Sequence, residues 1–386
     1  MRYINCHAHT FNMRYVPDKF LKVHFNERIA EIVHQLLNTR FISGPLIWLL
    51  KQFIRKGTSA KMLAFLTIGI KKTQDMVFDD LRSNYLSEDD VPFIILPLDF
   101  TFMGAGELNI PYEQQLEDLF ELKLKYPNHC LPFVAIDPRR GTATENKQFV
   151  ESYIKRGFAG IKLYPALGYF AFDPGLKEVF QYAEMNNIPL LTHCSSGGIN
   201  YVGDSPTNEM INPQPFNRID GRSYSFPQNG KEMSLYCDQF NNPTYFEEAL
   251  IAFPKLKICF AHFGLNASNQ FNKNKDHDVP RLEWFTKILE LMQTYKNVYT
   301  DISYSIAYVG FINWFLVHYN SWPADIQNRI MFGTDYYMTI QEEYGNDNEI
   351  MASIKREMPL PVFQHLAYDN VLAFLATNNS PAPTPS

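Results

Sequence analysis

Cysteine is scarce and unpaired in pattern. The 386 residues hold five (Cys6, Cys130, Cys194, Cys237, Cys259), an odd number with no CxxC, and three sit inside core-like apolar runs. That excludes a disulfide framework and leaves buried, reduced thiols as the expectation. An excess of positive charge is missing too. Lys and Arg number 35 against 41 Asp and Glu, a net charge of −6 with no basic block, so a nucleic-acid partner is not expected. Nor is there a long hydrophobic run. PLIWLL (45–50) and MLAFLTIGI (62–70) are too short to cross a bilayer, so no membrane association is expected. The first strand is expected from about Arg2, which leaves no room for a secretory leader and makes the cytoplasm the expected location. No internal repeat is evident, and Pro and Ser concentrate in the tail NNSPAPTPS (378–386), expected to be disordered.

What is present is a chain of 46% hydrophobic and 20% charged residues, enough to bury one large core, read as a single domain over 1–377 with a small molecule as its partner. Apolar runs alternate with helical patterns, the signature of βαβ units. Eight candidate strands fall at 3–6, 92–98, 131–136, 159–163, 189–192, 256–261, 297–300 and 329–333, which predicts a (β/α)₈ TIM barrel. Between them, Leu116, Leu119, Phe120 and Leu124 form one helical stripe and Leu176, Val179, Phe180 and Ala183 another. Pro174 and Pro243 stand near helix starts, Gly157 and Pro127 just past helix ends. Two stretches are longer than a crossover needs: 10–91, a helical insertion after strand one, and 195–242, a long polar loop after strand five. Both follow strand C-termini, so they are expected to roof the active-site face; a homodimer interface is their other reading.

Histidines and an aspartate end these runs. His7 and His9 lie in RYINCHAHT, His193 in IPLLTHCS, His262 in LKICFAHFG and Asp335 in RIMFGTDYY. Imidazoles and carboxylates are the usual ligands of a divalent transition metal, and strand ends are where a parallel barrel gathers its chemistry. The HxH pair is weak alone, since ten histidines make one by chance unsurprising; its position strengthens it. Residues i and i+2 of a strand share a face, so His7 and His9 are expected to enter the barrel mouth, with Cys6 and Ala8 turned outward to the helices. His193 and His262 occupy the last inward positions of strands five and six, and Asp335 lies on strand eight beside strand one, within reach of the metal that His7 and His9 hold.

Lys162, in GIKLYPALGY at the end of strand four, is expected to lose its charge there, because burial and a neighbouring cation both depress an amine's pKa. Its other readings are a substrate-binding cation or a pair with Asp99 or Asp137. Tyr164 and Arg139 are the candidate substrate contacts; Arg140, Arg218 and Arg222 could also grip a carboxylate, with a solvated surface position as the alternative for each.

His7-x-His9 on strand one, Lys162 on strand four, His193 on strand five, His262 on strand six and Asp335 on strand eight resemble the amidohydrolase superfamily. The surrounding phrases KLYP, PLLTHCSSGG, FPKLKICFAHFG, VYTDIS and MFGTDY are similar to its amidohydrolase-2 branch of TIM-barrel enzymes. The resemblance covers strand ends from residue 2 to about 340 and not the first insertion. It implies a metal-dependent hydrolase of an amide, lactone or ester-like carbonyl. His7, His9 and Asp335 would hold one metal, a carboxylated Lys162 would bridge to a second held by His193 and His262, and Asp335 would move the proton. Zinc is the first expectation, with manganese, iron and cobalt also suited to these ligands. The branch also implies an alternative: a single-metal decarboxylase or hydratase of a small aromatic carboxylic acid, in which His262 is free to act as acid or base. One departure is Asn5, where members of the branch often carry aspartate; Asp301 in YTDIS is the candidate to support the first metal instead, or else a helix cap or a solvated loop charge.

Overall fold

The computed structural model describes residues 2–17, 19–20, 60–85, 91–216, 236–266 and 282–378, with 219, 222, 224 and 226. Eight short strands pair in parallel and in chain order: β1 (Asn5–Ala8), β2 (Phe93–Ile95), β3 (Cys130–Ala135), β4 (Gly160–Leu163), β5 (Leu190–Thr192), β6 (Ile258–Phe260), β7 (Val298–Asp301) and β8 (Ile330–Met331). The two ends then meet. Cys6 N–H donates to the Phe332 carbonyl (3.0 Å), Asp335 N–H to His7 (2.8 Å) and His9 N–H to Tyr336 (2.7 Å), so the sheet closes into the predicted barrel.

Side chains sort into an inner and an outer core. Ile4, Ile94, Leu96, Leu131, Phe133, Leu191 and Met331 fill the inside, and Val371, Phe374 and Leu375 of the C-terminal helix pack against them as a plug. The outer faces of the strands meet the helices. In the helix Tyr112–Lys125 the buried stripe is Leu116, Leu119 and Leu122; Leu124, expected in it, is 59% exposed because 3.6-residue periodicity carries the core face from 119 to 122. Leu176, Val179, Phe180 and Ala183 are all buried, as expected.

One register detail shapes the site. Asn5 pairs with Phe93 and Ala8 with Ile95, three steps on β1 against two on β2, so β1 holds a bulge. Cys6 therefore packs inside the barrel, not outward, and His7 follows it toward the centre, while Ala8 faces the helices as expected. Gly333 permits the crowding: a Cβ there would stand 2.6 Å from the His7 Cβ.

Of the insertions, PLIWLL lies outside the described residues, whereas all of MLAFLTIGI but Ile70 falls in the helix Ala60–Gly69. Among the described residues no helix is long and apolar enough to cross a membrane. The tail beyond Asn378 and Arg218 also lie outside them. All five cysteines are buried free thiols.

Candidate metal centre

The tautomers of three of the four imidazoles follow from what backs each ring. Nδ1 of His9 faces the Leu96 carbonyl (2.7 Å), Nδ1 of His7 faces Asp301 Oδ2 (3.0 Å), and Nδ1 of His262 faces the Ser303 carbonyl (3.1 Å). Carbonyls and carboxylates only accept, so these nitrogens carry the protons and each Nε2 is a lone pair. His193 is backed on its other nitrogen: Nε2 faces Gly197 O (3.4 Å) and the Ser195 hydroxyl (3.2 Å), partners that serve either tautomer.

The bare atoms converge. His9 Nε2 lies 3.0 Å and His7 Nε2 3.5 Å from Asp335 Oδ1, and His262 Nε2 lies 3.2 Å from His193 Nδ1. At Asp335 both contacts set acceptor against acceptor. Asp335 Oδ1 is buried and makes no hydrogen bond, so the donor set calls for a cation. His7, His9 and Asp335 offer ligand atoms within 4.8 Å of one another, a nitrogen and oxygen set suited to zinc, manganese, iron or cobalt. Burial, the largest influence, pushes the Asp335 carboxyl up, but His7, His9 and His262 together hold it well below the usual carboxylate range. Burial pulls His7 down to about 4 against the opposing charges of Asp301 and Asp335.

Behind the rings, Asp301 and Ser303 form a common brace. Asp301 Oδ1 accepts the backbone N–H of His262 (3.0 Å) and of Ser303 (3.0 Å), and also the Ser303 hydroxyl; Ser303 Oγ stands 3.0 Å from Nδ1 of both His7 and His262. One carboxylate and one hydroxyl thus orient two imidazoles. Ser303 was not singled out in the sequence; its signal was the i, i+2 spacing from Asp301. Asn5 supports the metal strand in its own way, its Oδ1 accepting the N–H of His7 (3.1 Å) and of Thr334 (3.2 Å).

Backbone strain gathers at the same rim. Five non-glycine residues among those described have positive φ, and four of them are His262, Phe263, Tyr304 and Asp335. Such conformations cost about 1–3 kcal/mol each and persist where surrounding contacts enforce them, here re-aiming side chains as each strand ends.

A cavity of about 420 Å³ opens over His9, His193, His262 and Asp335. Tyr164 lines it, with its ring stacked on His193 (centroids 4.3 Å, planes 7° apart) and its hydroxyl accepting Ile199 N–H. Phe20 and Phe65 from the first insertion and Ser195 to Ile199 from the second complete the walls. Lys162 does not line it. The amine is fully buried inside the barrel, paired in register with Leu191, and makes no hydrogen bond; burial brings it down to about 8, opposed by Asp335 and Asp301. Arg139, expected against substrate, is held by Asp137 and the Leu167 carbonyl, packs on Phe102 and Tyr169, and is also outside the lining. Arg140 pairs with Asp99 and Glu113, and Arg222 with Glu247 and Glu248. Those guanidinium groups already have carboxylates.

Comparison with curated proteins finds no match. Solved structures match in fold. An uncharacterized TIM-barrel protein from Bordetella bronchiseptica is 14% identical, covers 97% of this chain and 99% of its own, and superposes with a TM-score of 0.53. A 5-carboxyvanillate decarboxylase from Novosphingobium aromaticivorans, complexed with manganese and 4-hydroxy-3-methoxy-5-nitrobenzoic acid, is 12% identical over 97% of this chain and 95% of its own, with a TM-score of 0.51. The amidohydrolase family profile matches residues 96–375. With the strand-end imidazoles and Asp335 gathered at the rim of such a barrel, this chain belongs to the amidohydrolase-2 family of enzymes.

Proposed function

We propose that this protein is a single-metal decarboxylase of small aromatic carboxylic acids. The observation that carries the reading is one compact group, His7, His9 and Asp335, with the imidazole of His262 beside it, His9, His262 and Asp335 opening on one cavity. The other ligand-like group among the described residues, His7, His262 and Asp301, reuses His7 and is tied together by the hydrogen bonds of the brace. Tyr164, Tyr304, Phe20 and Phe65 offer aromatic walls to a flat substrate. A manganese-bound decarboxylase shares the fold, and its reaction class is taken over here as part of the proposal.

A bound divalent cation would supply a Lewis acid that anchors the substrate's carboxylate and balances its charge. The chain's own groups would do the rest. The walls exclude water and hold the ring in place. His262, its Nδ1–H braced by the Ser303 carbonyl, would take up a proton at Nε2 and deliver it to the ring carbon as the carbon–carboxyl bond breaks. The electron pair of that bond then forms the new C–H bond, carbon dioxide departs, and a proton taken up from solvent returns to Nε2 of His262.

One observation favours a second reading, a two-metal hydrolase of an amide, lactone or ester-like carbonyl with Asp335 as base: the buried amine of Lys162, which makes no hydrogen bond, is suited to react with carbon dioxide. Metal content with and without bicarbonate separates the two. One metal per chain, unchanged by bicarbonate, together with carbon dioxide release from a hydroxybenzoate panel, supports the decarboxylase. Two per chain rising with bicarbonate, with turnover of lactones only, would replace it by the hydrolase.

A further inference from the structure

The cavity is lined by a second carboxylate, Glu342, which is not among the candidate metal ligands. The Tyr304 ring stands 5.9 Å from that of His262, and its hydroxyl donates to one oxygen of Glu342 while the Tyr308 hydroxyl donates to the other. Both Tyr304 and Glu342 line the cavity. Two phenols thus fix the carboxylate about one aromatic ring beyond His262, where it acts as an acceptor. Gln341 and Asn266 add side-chain amides to the lining, whereas Phe20, Phe65, Leu98 and Met338 make its apolar part. No lysine or arginine is among the described residues that line it.

We infer that Glu342 determines specificity by the charge and hydrogen-bonding character of the substrate's far end. It favours a ring that carries a hydroxyl or amine opposite the metal-bound carboxylate, and it rejects a second carboxylate there. A donor finds an acceptor already fixed in place, while a second anion meets like charge in a partly dehydrated site. The inference rests on the proposed reading of the metal end as the carboxylate site.

Equilibrium binding tests it without relying on turnover. The manganese-loaded protein is titrated calorimetrically with benzoate, 4-hydroxybenzoate, 4-aminobenzoate and terephthalate. The 4-hydroxy and 4-amino acids are expected to bind about tenfold tighter than benzoate, the order of one net hydrogen bond to a charged group, and terephthalate at least tenfold weaker. Glu342→Gln should bring terephthalate to within threefold of benzoate, and Glu342→Lys should place it first. Wild-type protein that binds terephthalate as tightly as benzoate overturns the inference whatever the variants do. So does a Glu342→Gln protein, folded by circular dichroism, with the wild-type order. Failure of all four acids to bind, or binding indifferent to metal, removes the reading of the metal end and the inference with it.

Discussion

Two carboxylates, Asp301 and Asp347, are buried equally and behave oppositely. Both are fully enclosed within a few side chains of β1. Burial pushes each upward, but at Asp301 the charge and N–H of His7, the charge of His262 and the Ser303 hydroxyl hold the carboxyl far below the usual range. Asp347 meets only hydroxyls, those of Tyr85 and Thr334, with Asp335 a repelling neighbour, and rises to about 6. Enclosure alone therefore leaves a carboxyl ready to take a proton; imidazoles that can share positive charge keep it an anion. The metal side of the barrel is built from the second kind.

The largest effect is expected where that anionic character is removed at the metal itself. Asp335→Asn, and likewise His9→Ala, should lower kcat by about 10³-fold or more with the fold retained, read by steady-state rates, metal analysis and circular dichroism. Activity within tenfold of wild type would dissolve the distinction between the two sides.

Asp347 sharpens the comparison through pH. Its folded value of about 6 lies above the ordinary 3.8, so the stabilisation from its bound proton is fully present below pH 4 and is lost as pH rises through 6, about 3 kcal/mol in all. Urea unfolding of wild type against Asp347→Asn between pH 4 and 8 should show that difference, with the wild type losing ground as pH rises. A pH-independent difference would mean that Asp347 keeps one protonation state throughout.

Asp301→Asn should cost about 10–100-fold in metal affinity, the usual range for a group that orients a ligand, while Asp347→Asn should leave affinity unchanged. Competition with a chelator measures both. Smallest is Ser303→Ala, expected to reduce kcat by about threefold to tenfold with metal content intact, since Asp301 and the Ser303 carbonyl still hold the two rings. A larger loss of metal would make the hydroxyl, not the carboxylate, the principal brace.

Much of this was legible from strand ends. His7, His9, His193, His262 and Asp335 each terminate an apolar run, and a closed barrel brings such ends together, so local pattern and topology sufficed. Glu342, Phe20 and Phe65 were illegible because they come from the insertions and loops that follow strand ends, whose placement over the barrel no local period fixes. Arg139 misled because a guanidinium after strand three looks the same whether it faces a substrate or Asp137.

Sequence by itself determined the eight-strand alternation, the family, and which side chains could serve as ligands, because periodicity and residue chemistry are local properties. Tertiary structure decided the β1 bulge that turns Cys6 inward, the enclosure of Lys162 away from the cavity, and the opposite titration of Asp301 and Asp347. Those depend on which atoms from distant strands come within a few ångströms, and burial and electrostatics are set by that packing.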